Sequence, residues 1–324
     1  MGSPSLMCAE ESSLLSQRSP PPSHARRPHC LGRFASREGA EFISGLGRME
    51  YRTNHSLLLF IHIAKTAGTL TTATLRRYKA KLAAVPCVSP LQLACDSSDA
   101  WQHRHLYLEF HDGQRVFGPR VAPLLPALRR RYRESGGRVL LWMSVRPVLP
   151  RSFSHFYMWS SEVVRGQNGR RSKRQLSFDE WTRRHGAPPS MNAHVSGLGL
   201  GINTTGCERP ALAAAIRMFD VLVHMDCTSE FLTRLLKSLT GKQNNTRVGW
   251  LSPGTGVESR ANRTQYKWAT ISACTRQRLL DLTWCDARFY SMVFPDDPSH
   301  RRGWWRQLLD DPKVDASTLF GPSP

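Results

Sequence analysis

Residues 57–63 read LLLFIHI, a run of apolar positions interrupted only by His62. The run is too short to span a membrane and has the length of a parallel strand buried on both faces. A turn of small residues follows, Ala64-Lys65-Thr66-Ala67-Gly68-Thr69, and then a stretch to Tyr78 that can wind as a helix. Leu106, Leu108 and Phe110 alternate like a strand, with Glu109, His111 and Asp112 as a polar group at its end. Residues 138–145 (RVLLWMSV) predict a second buried strand and residues 219–225 a further one. Helical patterns cover 124–132, stopped by Gly136-Gly137, then 229–239 with Phe231, Leu232, Leu235, Leu236 and Leu239 on one face, and 264–291. Ser177-Phe178-Asp179-Glu180 forms a capping box that opens a helix carrying Trp181. Strands alternating with helices predict an α/β domain over 51–295. Residues 1–50 are rich in Ser, Pro and Arg and are expected to be disordered; residues 296–324 form a tail.

The net charge of +20 changes this picture, because a generic enzyme domain does not need it. Polyanions are the natural partners of such a chain: nucleic acid, an anionic membrane, or a sulfated or carboxylated glycan. Arginine is spread along the chain rather than gathered in a tail, so part of the charge is ordinary solvated surface. The segment 165–175 (RGQNGRRSKRQ) is the densest basic stretch and reads as a loop, either solvated or clamping an anionic acceptor. No strand-end aromatics form a base-stacking platform, so nucleic acid is not the expected partner.

Eight cysteines occur without a CxxC or a zinc-type Cys/His spacing, and no metal is expected. Six of them lie between 87 and 285, an even number compatible with three disulfides. Cys87 and Cys95 bracket a short loop as a staple or as two unpaired thiols. Four N-x-[ST] sequons, at Asn54, Asn203, Asn244 and Asn262, hint at a luminal route. Residues 1–56 contain neither a long apolar run nor a signal-type h-region, and the first residues do not fit the myristoylation pattern.

Strand, tight turn and helix leave free backbone N–H groups at a helix N-terminus facing a strand end. Together with the helix dipole and Lys65 they make an anion site. The hydroxyls of Thr66 and Thr69 add donors, and Gly68 lets an anion approach the main chain. The Walker pattern requires Lys after its second Gly; here Lys65 precedes the only Gly, and no strand ending in a Walker-B Asp is evident, which disfavours an NTPase or kinase. A second candidate begins where strand 138–145 ends: Arg146-Pro147-Val148-Leu149-Pro150-Arg151-Ser152-Phe153-Ser154-His155-Phe156-Tyr157. An Arg at a strand end offers a planar fork to a phosphate, and a Ser in the first turns of the next helix can address the same anion.

The string from Phe60 to Thr69 resembles the 5′-phosphosulfate loop of PAPS-dependent carbohydrate sulfotransferases, close to FxHIPKTGGT. (PAPS is 3′-phosphoadenosine-5′-phosphosulfate.) Ala64 stands where Pro is usual and Ala67 where Gly is usual; an Ala fits there without strain only at negative φ. Residues 146–157 are similar to the family's 3′-phosphate motif, about RDPVxRxxSxYY, with Arg146, Arg151, Ser154 and Tyr157 in register and the Asp-Pro pair replaced by Pro147-Val148. The string 191–198 is similar to the family's Asn-containing loop ending in Ser-Gly, and FHDGQRVFG loosely resembles its catalytic His segment. The resemblance, to the heparan-sulfate 2-O and 6-O branch, spans about residues 55–293. It implies a P-loop-like three-layer fold with a central parallel sheet, PAPS as co-substrate, a carbohydrate hydroxyl as acceptor and a Golgi location, with type II membrane topology in the family. Residue by residue, it implies donor binding by Lys65, Thr66, Ala67, Gly68, Thr69, Arg146 and Ser154. Catalysis falls to Lys65, with His111 as base or Glu109 if the register differs. The alternative is a non-catalytic glycan- or nucleic-acid-binding protein on a decayed nucleotide site, supported by Ala64, Ala67, the missing Asp-Pro pair and the high charge.

Overall fold

Strand β1 (Ser56–Ile61) is buried along its whole length because it has a parallel neighbour on each side and a helical layer on each face. The computed structural model describes residues 56–64, 66–77, 105–110, 113–159, 161–165, 171–185, 192–204, 207–240 and 272–295. The terminal segments, Cys87, Cys95 and the sequons at Asn54, Asn244 and Asn262 lie outside them.

The remaining strands of the main sheet are β2 (His105–Phe110), β3 (Arg138–Val145) and β6 (Val221–His224), in the order β2-β1-β3-β6, all parallel. Helix α1 (Gly68–Arg77) follows β1, and α2 (Leu125–Glu134) follows β2 after a wide π-type helical segment (Gly113–Val121) and a 3-10 turn. Helix α3 (Val148–Trp159) follows β3. An antiparallel ribbon, β4 (Ser161–Arg165) and β5 (Arg171–Gln175), then leads to α4 (Phe178–His185), the short α5 (Ala193–Ser196) and α6 (Arg209–Met218). After β6 come α7 (Thr228–Thr240) and α8 (Ala273–Val293).

Alternating side chains sort the sheet into two cores. Leu57, Leu59 and Ile61 of β1 join Leu141 and Met143 of β3 under α2, α6 and α8. Leu58 and Phe60 join Leu140 and Trp142 under α1 and α7, where the face of α7 expected from its period is the buried one. The result is a three-layer α/β architecture, helices on both faces of a parallel sheet. Asp220 fixes β6 against β3: its amide donates to the Leu141 carbonyl at 2.9 Å and its Oδ2 accepts from the Leu141 amide at 2.7 Å. Arg129 of α2 closes the same corner through Asp220 Oδ1 and the Met218 carbonyl.

Two readings of the sequence need correction. Strand β2 does not alternate buried with exposed: Tyr107, on the opposite face from Leu106 and Leu108, is also buried, tilted against Trp142 at 6.1 Å. The basic stretch 165–175 is not a plain loop, because Arg171–Gln175 pairs with Ser161–Arg165. Burial of Leu176 and the packing of Phe178 and Trp181 against Phe153 and Phe156 tie the base of this ribbon to α3.

Candidate functional site

The order β2-β1-β3-β6 places the reversal of chain direction across the sheet at the carboxyl ends of β1 and β3. In open α/β sheets that is the crevice where ligands bind. Ile61 is paired with Met143. The small-residue turn starts three residues past Ile61 and Arg146 lies three residues past Met143, so the two motifs stand level on strands about 4.8 Å apart. Sequence-distant candidates are thereby neighbours. Lys65 and His111 lie outside the described residues.

The turn itself is built by its own side chains. Thr66 is fully buried, and its hydroxyl donates to the Ile63 carbonyl at 2.8 Å, so it closes the turn rather than facing outward. Ala67 has φ of 66°, in the left-handed region, contrary to the strain-free condition stated above. Such a residue turns successive N–H groups towards one side, the backbone nest that suits an anion. An L-residue there carries a penalty of about 1–2 kcal/mol. Ala67→Gly is therefore expected to raise unfolding free energy by about 1 kcal/mol in denaturant titration, and an unchanged or lower value would contradict the strained turn. Gly68 opens α1 and is required for a different reason: a Cβ there would lie 1.8 Å from His62 Nε2. Thr69 is the second residue of α1.

His62 and Thr72 carry interactions for which sequence reasoning assigned no role. His62 Nδ1 donates to Glu109 Oε1 at 2.7 Å, and the Thr72 hydroxyl donates to the same oxygen at 2.6 Å. Glu109 thus links the ends of β1 and β2 to α1, and one of its oxygens is already engaged. Its place on a strand that also has alternating apolar residues was visible; its partners, far away in sequence, were not.

Arg146 is half-buried at the end of β3. Burial pushes its guanidinium down to about 10, the Asp226 carboxylate acts to raise it, and Arg151 lowers it further. A cation in such surroundings is stabilised by an incoming anion. Ser154 is half-buried in the second turn of α3, on the helix that leaves this strand end. Arg151, in register with the second Arg of the motif, faces the interior instead. It is 1% exposed, with Nε 3.8 Å from Asp286 Oδ2, and burial lowers its guanidinium while Asp286 opposes that.

Asp286 anchors a network that the helical pattern of α8 conceals. Its Oδ2 accepts from the backbone N–H and from Nδ1 of His194, at 2.9 and 2.7 Å, and its Oδ1 accepts from the Val195 amide at 2.9 Å. Asn192 spans the same joint, accepting from the Asp286 amide and donating to the Leu282 carbonyl. His194 Nε2 then accepts the Arg146 amide at 3.3 Å. Burial alone would raise the Asp286 carboxyl, but the side-chain and backbone hydrogen bonds from His194 and the charge of Arg151 hold it below the usual range. An aspartate on the buried, heptad-like face of α8, between Thr283 and Tyr290, was the available signal.

Cys207 and Cys285 form a disulfide that joins the segment before α6 to α8, and Cys227 and Cys274 are disulfide-bonded as well. Asn203, in a sequon, is exposed. Among the described residues no group of three or more His, Cys, Asp or Glu is arranged to hold a metal, and no helix is long and apolar enough to cross a membrane. No protein-family model and no curated protein matches the chain.

Proposed function

We propose that the protein is a PAPS-dependent sulfotransferase acting on a hydroxyl of a carbohydrate, with a heparan-sulfate-like glycan as the acceptor class and the P-loop-like sulfotransferase fold as its scaffold. The observation that carries this reading is the adjacency of the two motif-bearing strand ends, β1 and β3, at the switch point of the sheet. The backbone N–H groups of Ala67, Gly68 and Thr69, with Lys65, receive the 5′-phosphosulfate; Thr66, whose amide and hydroxyl both donate to the Ile63 carbonyl, shapes the turn that presents them. Arg146 and Ser154 take the 3′-phosphate.

In the transfer, the acceptor oxygen forms a bond to sulfur as the bond from sulfur to the 5′-phosphate oxygen breaks. The electron pair leaves with adenosine 3′,5′-bisphosphate. Lys65 stabilises charge on the bridging oxygen, and the hydroxyl proton passes to His111. Glu109 is the alternative base. Its double hydrogen bond to His62 and Thr72 supports a holding role for it instead. The disulfides and the exposed Asn203 sequon support a secretory, Golgi-type location.

The second reading, a polyanion-binding protein without turnover, is favoured by the left-handed Ala67 and by the inward Thr66 hydroxyl. Thermal denaturation tests the nucleotide site. Adenosine 3′,5′-bisphosphate at a hundred times its dissociation constant is expected to stabilise the protein by about 2.7 kcal/mol. Adenosine 5′-monophosphate should bind more weakly, and Arg146→Ala should abolish that preference. Equal shifts by both nucleotides in the parent protein would overturn the assignment.

A further inference from the structure

Strand β3 ends at Val145, whose partner on β6 is His224, so the next amide, that of Arg146, lies beyond the ladder. A half-buried N–H in that position needs an acceptor. It finds one in an imidazole forty-eight residues further along the chain, His194 Nε2. That nitrogen accepts only if the ring carries its proton on Nδ1, and Asp286 Oδ2, 2.7 Å from Nδ1, holds it there. The carboxylate is itself immobilised by two backbone amides, and Asn192 bonds the Asp286 amide and the Leu282 carbonyl. A continuous chain of hydrogen bonds therefore runs from α8 through Asp286 and His194 to the backbone of Arg146.

We propose that His194 is a positioning residue for the anion site: its Asp286-fixed imidazole sets the backbone from which Arg146 presents its guanidinium. The part of the proposal that concerns nucleotide selectivity rests on the reading of Arg146 given above; the part that concerns the backbone does not. The side chain of His194 is wholly buried, so it acts on the ligand through Arg146 and not by touching it. Ring contact with Phe289, centroids 6.2 Å apart and nearly parallel, holds the imidazole plane.

Two substitutions separate positioning from packing. His194→Phe keeps the ring's size and removes the acceptor, while Asp286 retains the amides of residues 194 and 195 and its proximity to Arg151. His194→Gln places a side-chain amide oxygen near the position of Nε2 and restores an acceptor. Hydrogen exchange in the full chain is expected to show the Arg146 amide exchanging at least about tenfold faster in His194→Phe, with most of the protection regained in His194→Gln. The same pair should lose and regain, by about tenfold, the preference for adenosine 3′,5′-bisphosphate over adenosine 5′-monophosphate, a ratio that a purely structural role would leave unchanged.

Unchanged Arg146 exchange in His194→Phe would overturn the positioning role. Nitrogen-15 chemical shifts of His194 in the parent protein provide a measurement that survives even if that variant does not fold. A protonated Nδ1 with an acceptor Nε2 is expected, and the reverse tautomer would refute the proposal. A parent protein with no nucleotide preference would refute the sulfotransferase reading, while the exchange and tautomer results would still decide the role of His194.

Discussion

Lys65→Ala is expected to lower turnover with PAPS and a glycan acceptor by a factor of about 10²–10³. Lys65 is the only Lys or Arg in the sequence between the end of β1 at Ile61 and the start of α1 at Gly68. Charge on the bridging oxygen develops as the bond to sulfur breaks, so an ammonium there acts mainly in the transition state. Binding of adenosine 3′,5′-bisphosphate should fall much less, because the backbone donors and Arg146 remain. A variant that loses binding and turnover together would make Lys65 a ground-state anchor. A variant with full turnover would remove it from the mechanism. His111→Ala supplies the control: loss of turnover with unchanged bisphosphate affinity is the expected behaviour of a base that meets only the acceptor.

The largest stability effect is expected at Asp286. Its removal takes a nearby carboxylate from the buried Arg151 and deprives His194 and Val195 of their acceptor. Breaking a buried pair from one side typically costs about 3–5 kcal/mol, and Asp286→Ala should lose that much in denaturant titration. The folded protein holds the Asp286 carboxyl below its unfolded value. The stabilisation it gives is therefore complete above the unfolded pKa, about 4, and declines as pH falls through the lower folded value. Asp286→Asn should flatten this acid limb of the stability profile. An acid limb identical to that of the parent would assign the loss to other carboxylates.

What could be read from the sequence and what could not divide along a physical line. Strand β3 was expected at 138–145 and occupies those residues, because a run buried on both faces has no competing interpretation at that length. Helix α7 agrees within a residue or two with its apolar period, and Ser177 caps α4 as its motif indicates, its Oγ accepting the Glu180 amide at 3.1 Å. These features depend on neighbours a few residues away. Strand β2 was harder. Leu106, Leu108 and Phe110 announce one buried face, but only the packing of Tyr107 on Trp142 reveals the second.

The site shows the same division. The two motifs read as anion-site candidates stand out in the sequence, yet the sheet order that makes them neighbours arises from strand pairing between distant segments. The ribbon β4–β5 was hidden by its own composition, since the basic, Gly-containing segment 165–175 carries no apolar alternation. The left-handed Ala67 was invisible because side-chain identity argues against it; the turn imposes it. The partners of Asp286 are ninety or more residues away, and no local pattern encodes such a contact.

Transfer of labelled sulfate tests the central claim most directly. The full chain is incubated with PAPS labelled in its sulfuryl group and with a panel of desulfated and partly sulfated glycans, and label in the glycan is measured against adenosine 3′,5′-bisphosphate released. The account predicts equal amounts of the two, dependent on acceptor and nearly absent in Lys65→Ala. Bisphosphate binding without label in any glycan would contradict it and identify the protein as one that binds the nucleotide without transferring its sulfate.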